Sequence, residues 1–395
     1  MSSLCARVEE PAHLFPEFDL PVADCVLTPA FIVDEEIASA NIDHMIAHLN
    51  GQAARWRPHV KCLKSRWLVS LLKGRGVERW KAATLQEVRL LLDMGAADVL
   101  VSTPLRGSSL RELGRLAAAN PAAQVSVLIE DELPLADLRR ERIGAFVDVD
   151  TGLDRTGITP DPDAAARLIA AVIGSGVEFR GLHAYDGHLR NLQGEDVQDA
   201  LALTVHLLSA LCRVSSARPP EISTGGTFAL QRAQLTLSEI TELHTVGHGT
   251  VILGEGQSAG FLQECGFQVA ARVLTTVVSV RSQQRLICDA GSLAISTDVG
   301  DPAADVAGQP DSRVGHPFQE HLPITLASAG QLPEAGTSLQ LVPRHVDTTL
   351  AQYDEMIVLR RQMCRIEAVE ARGRGTVLMP AISRSAVSLR SEDDD

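Results

Sequence analysis

The chain has no apolar run approaching the ~20 residues that a helix needs to cross a bilayer, so no membrane span is expected. It has no excess of positive charge: 36 Lys and Arg stand against 50 Asp and Glu, a formal net charge of −14 at pH 7. That acidity works against nucleic-acid and anionic-membrane partners and favours solubility, yet leaves room for a local cationic site. The 7 cysteines are scattered, odd in number and form no CxxC pair. They fit free thiols in a reducing cytoplasm better than a disulfide framework. Residues Met1 to Pro11 are polar and acidic without an apolar core, so no signal peptide is expected. Tyrosine is scarce, with only Tyr185 and Tyr353.

What is present is an ordinary globular balance, 45% hydrophobic and 22% charged over 395 residues. The length suits two domains, or one barrel with an addition. From about residue 26 short apolar runs alternate with amphipathic stretches. Ile42, Met45, Ile46 and Leu49 share one helical face, with Asp34 placed to cap it. Thr84-Leu85-Gln86-Glu87 reads as a capping box ahead of a stripe of Leu85, Val88, Leu91 and Leu92. Eight candidate strands follow: Arg57–Val60, Trp80–Ala83, Asp98–Ser102, Val125–Ile129, Ala145–Val149, Arg180–Ala184, Glu221–Thr224 and Leu243–Val246. Most are separated by a helical segment, which predicts an α/β fold with a (β/α)8 TIM barrel over residues 26–258.

After residue 260 the helical stripes fade. Val269–Val280, Arg285–Cys288, Ser338–Val342, Met356–Leu359 and Arg365–Val369 read as strands of a mostly β domain, assigned to residues 1–25 plus 259–395. Asp298–Gly315, rich in Asp, Pro, Gly and Ala, reads as a mobile loop, and the acidic tail Ser391–Asp395 as disordered.

Barrel chemistry gathers at the C-terminal ends of strands. Lys61 follows the first candidate strand, Arg155 the fifth, Tyr185 the sixth, Gly225-Gly226 the seventh and Gly247-His248 the eighth. Glycines at 225 and 226 let the backbone approach an anion, and free N–H groups at the following helix start would face it. Taken alone, each feature also has a plain structural explanation. Lys61 could close a strand at the surface, and Arg155 could pair with Asp150 or Asp154. His345-Val346-Asp347 could be an exposed loop pair.

Taken together, the motifs resemble the fold-type III pyridoxal-phosphate enzymes, an alanine-racemase-like barrel followed by a β domain. Within that class the chain resembles the metal-activated branch of D-threonine aldolase and D-serine dehydratase. The resemblance rests on Arg-Pro-His-x-Lys at 57–61, Gly-Leu-His-Ala-Tyr-x-Gly-His at 181–188 and Gly-Gly-Thr at 225–227. It also rests on Asp-Ala-Gly at 289–291, Glu-His at 320–321 and Pro-x-His-x-Asp at 343–347. It implies pyridoxal 5′-phosphate bound covalently through Lys61, with His59 as a proton-transfer group. Arg155 would lie beside the phenolic oxygen and Tyr185 near the pyridine ring. Thr224, Gly225, Gly226, Thr227, Gly247 and His248 would form the phosphate cup. His345 and Asp347 would hold a divalent metal, Mn²⁺ or Mg²⁺ being favoured because carboxylate is a hard ligand, with Zn²⁺ as the alternative. His-x-Asp rather than His-x-Cys points to an aldolase acting on D-β-hydroxy-α-amino acids. A D-serine or 3-hydroxyaspartate-type dehydratase is the alternative, and a non-catalytic pyridoxal-phosphate carrier is a third reading. A small amino acid is the expected partner and a homodimer the expected assembly. The chain departs from the family at Gly247-His248-Gly249 and at Leu293, where relatives carry a lysine.

Overall fold

The structure, a computed structural model, describes residues 15–20, 25–159, 161–191, 219–234, 241–281, 284–327 and 333–375, with 202, 204–206 and 208–210. The expectations for the first eleven residues and for Ser391–Asp395 lie outside the described residues.

Seven parallel strands stand in sequence order: β2 (Arg79–Ala82), β3 (Asp98–Val101), β4 (Gln124–Ile129), β5 (Gly144–Val149), β6 (Phe179–Tyr185), β7 (Glu221–Gly225) and β8 (Leu243–Val246). The expected first strand, Arg57–Val60, is not one. It closes the gap between β8 and β2 through two isolated bridges, Trp56 to Val246 and His59 to Lys81. Arg57 N–H donates to the Val246 carbonyl at 2.9 Å and Lys81 N–H to the Pro58 carbonyl at 3.0 Å. Pro58 has no N–H to give, so the ladder stops there. The chain then tightens into a 3₁₀ turn, Val60–Cys62.

The helices form where the sequence signals stood. In α1 (Glu35–His48), Asp34 accepts from Ile37 N–H and Ile42 and Met45 are buried. In α2 (Leu85–Asp93), Thr84 and Glu87 complete the capping box. Alternate strand residues divide the barrel into two faces. Val99, Val101, Val125 and Val127 belong to the large core that the helices cover. Leu100, Leu128 and Phe146 form a separate apolar cluster. Arg57, wholly buried, lies 5.8 Å from the Phe146 ring and pairs with Asp98 at 2.8 Å and Glu221 at 2.7 Å.

The second sheet runs β12 (Arg313–Val314), β13 (Leu322–Thr325), β10 (Arg285–Cys288), β9 (Ala271–Val280), β1 (Ala30–Asp34), β15 (Glu355–Arg360) and β16 (Met363–Ala368). In addition, β14 (Ser338–Pro343) pairs with β9 and with β11 (Ala304–Val306). The mostly β character expected after residue 260 is present. Two features differ from the reading of the sequence. Residues 30–34 form a strand, antiparallel to β9 and parallel to β15. The Asp298–Gly315 run holds β11 and β12, because Ala304 and Val306 bury side chains that its Asp, Pro and Gly content hides. Among the described residues no helix is long and apolar enough to cross a membrane.

Candidate active site

The strand ends of the barrel open into a cavity of about 380 Å³, within the ~300–1,000 Å³ usual for small-molecule sites. Lys61, His59, Lys81, Arg155, His183 and Tyr185 line it, with Gly225, Gly226, Thr227, Gly247 and His248 at the β7 and β8 ends.

Lys61 sits inside the 3₁₀ turn, and His59 caps that turn. His59 Nδ1 accepts from the Lys61 backbone N–H at 3.2 Å. Its Nε2 meets Ser102 Oγ at 2.9 Å, and the Ser102 hydroxyl donates to the Ala82 carbonyl at 3.2 Å. This network assigns the His59 proton to Nε2. Burial first, and then the Lys61 and Lys81 ammonium groups, hold His59 well below the ordinary histidine range, so its ring is neutral. Both nitrogens are engaged, one of them in positioning Lys61. The 3₁₀ turn, rather than alternation along a strand, places His59 beside Lys61.

Lys61 Nζ lies 2.9 Å from Asp347 Oδ2. The Asp347 carboxylate raises the Lys61 ammonium above the ordinary lysine range. Without a cofactor the lysine is therefore held as an ammonium. Burial would push the Asp347 carboxyl up, but Lys61 and His345 outweigh it and hold the group well below the usual carboxylate range.

Arg155 makes no ion pair with Asp150 or Asp154. Its guanidinium lies 4.5 Å from the Tyr185 ring centroid, while Asp150 accepts from the backbone N–H groups of Gly152, Leu153 and Asp154. His183 is buried against Asp148 at 2.7 Å. Gly226 has φ +124°, open to glycine alone, and Gly225 ends β7. The helical segment expected after Gly226 is a 3₁₀ helix, Thr227–Gln234. A Cβ at Gly247 would lie 2.7 Å from Lys81 Nζ, and one at Gly249 would lie 2.5 Å from the His59 carbonyl. Glycine at these places keeps the cradle open. Thr224 does not face the cavity, because its hydroxyl bonds His244 Nε2 at 3.0 Å. His248 is buried at the β8 end of the cavity. The cavity-lining Lys61, the cationic wall and the glycine-lined cradle fit pyridoxal phosphate.

His345 and Asp347 are not on an extended segment. His345 precedes the short helix Val346–Leu350 and Asp347 lies within it. His345 Nε2 stands 3.8 Å from Asp347 Oδ2, and buried Asp347 Oδ1 has no hydrogen-bond donor. His345 Nδ1 bonds Asp298 Oδ2 at 2.7 Å, which turns Nε2 towards Asp347. A carboxylate behind a histidine is the usual support of a metal ligand. The pair fits a divalent ion as two ligands. No cluster of three His, Cys, Asp or Glu that could hold a metal occurs among the described residues. Water or substrate would supply the remaining positions.

The sequence missed Asp298, Lys81 and Glu255. Asp298 lay in what read as loop and Lys81 inside a strand. Glu255, buried, accepts from Val346 N–H at 3.1 Å and so anchors the segment that carries His345 and Asp347. No sequence signal marks these three.

Residues 33–255 match the family model described as the alanine racemase N-terminal domain, and residues 270–359 that of a putative serine dehydratase domain. The chain is 26% identical to a D-threonine aldolase of Arthrobacter sp. over 358 residues, 88% of this chain and 93% of that protein. It is 26% identical to a 3-hydroxy-D-aspartate aldolase of Paracoccus denitrificans over 370 residues, 89% of this chain and 93% of that protein. The crystal structure of D-threonine aldolase from Filomicrobium marinum superposes with a TM-score of 0.79 at 24% identity, covering 92% of this chain and 99% of that one.

Proposed function

The chain belongs to the alanine racemase N-terminal domain family, among pyridoxal-phosphate-dependent lyases of D-amino acids, and from that premise we propose that it is an aldolase. Its substrates would be D-β-hydroxy-α-amino acids such as D-threonine, cleaved to glycine and an aldehyde. The observation that carries this reading is the meeting of Lys61 with Asp347 at 2.9 Å, which joins the barrel's amine to the β domain's acid at one cavity.

Pyridoxal phosphate bound through Lys61 would supply an electron sink for bond cleavage at Cα, and a divalent ion on His345 and Asp347 would supply Lewis acidity at the β-hydroxyl. The protein does the positioning. The glycines at 225, 226 and 247 admit the phosphate, and Arg155 presents a fixed cation from the wall above Tyr185. Asp347 draws the β-hydroxyl end of the substrate to the side where Lys61 emerges. In the cleavage the Cα–Cβ bond breaks, the β-hydroxyl loses its proton and Cα gains one. His59, neutral beside Lys61, takes the hydroxyl proton once its Nδ1 leaves the Lys61 amide. The expected cytoplasmic setting and paired assembly belong to this same reading.

The match to a serine dehydratase domain over residues 270–359 supports a second reading, a dehydratase. Incubation with D-threonine separates the two. Acetaldehyde with glycine is the expected result, and 2-oxobutanoate with ammonia would replace the aldolase by the dehydratase. Neither product from any D-β-hydroxy amino acid would remove both.

A further inference from the structure

Lys81 has no assigned role. It lies one residue before the end of β2, beside the 3₁₀ turn of Lys61, is 3% exposed, and lines the cavity. It makes no ion pair or side-chain hydrogen bond with any described residue. Its neighbours in the ion cluster are otherwise matched: Arg57 holds Asp98 and Glu221, and Arg180 holds Asp98 at 2.9 Å. The Lys81 ammonium thus stands as a buried cation without an acid against it. Isolated buried charges are costly, and proteins keep them where a counter-charge arrives. Burial first, and then Arg57, push Lys81 down to about 7, although Glu221, Asp148 and Asp186 pull the other way. The cavity histidines His59, His183 and His248 are themselves held low by burial and by Lys81, and Lys61 and Arg155, which also line it, are cations, so none of these supplies a counter-charge.

The place of the amine narrows the choice of ligand. Lys81 Nζ is 2.7 Å from where a Gly247 Cβ would be and 3.6 Å from where a Gly225 Cβ would be. It therefore lies between the two glycine strand ends. The Gly247 N–H already donates to the Thr224 carbonyl at 2.8 Å, so an anion held between these ends would draw its neutralising charge from the ammonium.

We propose that Lys81 is the cation of the phosphate subsite, pairing with the phosphate of pyridoxal phosphate from the floor of the cradle between Gly225 and Gly247. The inference rests on the cofactor reading above and adds a residue to it. Lys61 holds the cofactor covalently at one end, while Lys81 neutralises it at the other. The pair separates two jobs that a single lysine cannot do.

The test is binding rather than turnover. Apo wild type, Lys81→Met and Lys81→Gln are titrated with pyridoxal phosphate, with pyridoxal lacking the phosphate, and with inorganic phosphate, followed by absorbance and by thermal shift. Loss of one charge-assisted contact should raise the Kd for pyridoxal phosphate by about 10- to 100-fold in both variants. The Kd for pyridoxal should be unchanged, and protection by inorganic phosphate should be lost. The apo melting temperature should hold or rise, because an unpaired buried charge is removed. Equal weakening for pyridoxal and its phosphate would overturn the proposal by placing the contact on the ring. Unchanged phosphate affinity would overturn it too, and so would an apo form destabilised in both variants, which marks a structural charge. Failure of wild type itself to bind the cofactor would sink the cofactor reading instead, so the two failures are distinguishable.

Discussion

At the scale of single residues, the Asp298, His345 and Asp347 arrangement makes the sharpest claim. Asp298 is itself fixed, accepting from the Ser296 hydroxyl at 2.7 Å and the Thr348 hydroxyl at 3.0 Å. It can therefore hold His345 Nδ1 and leave Nε2 to a metal. Asp298→Asn should weaken Mn²⁺ binding by about 10- to 100-fold with little change in cofactor absorbance. Calorimetric metal titration checks it, and affinity equal to wild type would remove Asp298 from the site. Lys61→Ala should abolish cofactor that borohydride can fix to the chain, together with activity. Mass spectrometry of the reduced variant still showing the adduct would move the attachment elsewhere.

At the scale of elements, the positions of most barrel strands and of the capped helix starts were legible because they follow from periodicity and caps. Asp34, Thr84 and Glu87 marked helix starts that the structure contains. The eighth stave was legible in position but not in form. Trp56 to His59 lies where a strand was expected, yet Pro58 limits it to bridges. Strand β1 was missed because Phe31, Ile32 and Val33 are too short a run to announce a partner in a sheet more than 200 residues away. In the site, Lys61, Arg155 and the glycines were visible as motif residues at strand ends. Lys81, Glu255 and Asp298 were not, since only packing tells a buried cation or anchor from a surface one. The turn that carries Lys61 depends on Gly249, whose Cβ would collide with the His59 carbonyl. Gly249→Ala should displace that turn and lower cofactor occupancy several-fold while secondary structure persists. Circular dichroism alongside the bound-cofactor spectrum reads both, and full occupancy would show that the turn tolerates the methyl group.

At the scale of the whole molecule, the floor of the barrel is an ionic lock. Burial would raise the Asp98 carboxyl, but Arg57 outweighs it and leaves Asp98 below its ordinary value. A depressed carboxylate stabilises the fold above its unfolded pKa of about 3.9, and that stability fades as pH falls through the folded value. Asp98→Asn should cost about 3–5 kcal/mol at neutral pH, because Arg57 loses a buried partner. The gap to wild type should narrow as pH drops below about 4. Urea melts from pH 3 to 7 measure it, and a gap constant with pH would deny the linkage. On the outer surface, Leu293 and Phe318 are 56% and 63% exposed, and their segments are joined by Ser292 N–H to the Phe318 carbonyl at 2.8 Å. This exposed apolar pair would suit burial against a second copy. Sedimentation should find a homodimer that Leu293→Asp with Phe318→Asp weakens; a fully active monomeric wild type would contradict it.

The 2.9 Å contact between Lys61 and Asp347 also bears on safety. On the proposed aldolase reading, an uncapped amine in this pocket would be exposed to poisoning by the aldehyde product, and to sugars and other stray carbonyls. Held as an ammonium by Asp347, Lys61 is a poor nucleophile until a carbonyl compound that fits the cradle displaces the carboxylate. The empty enzyme is thus chemically quiet. Asp347→Asn should remove that guard, and trapping with acetaldehyde and borohydride should label Lys61 faster in the apo variant than in apo wild type.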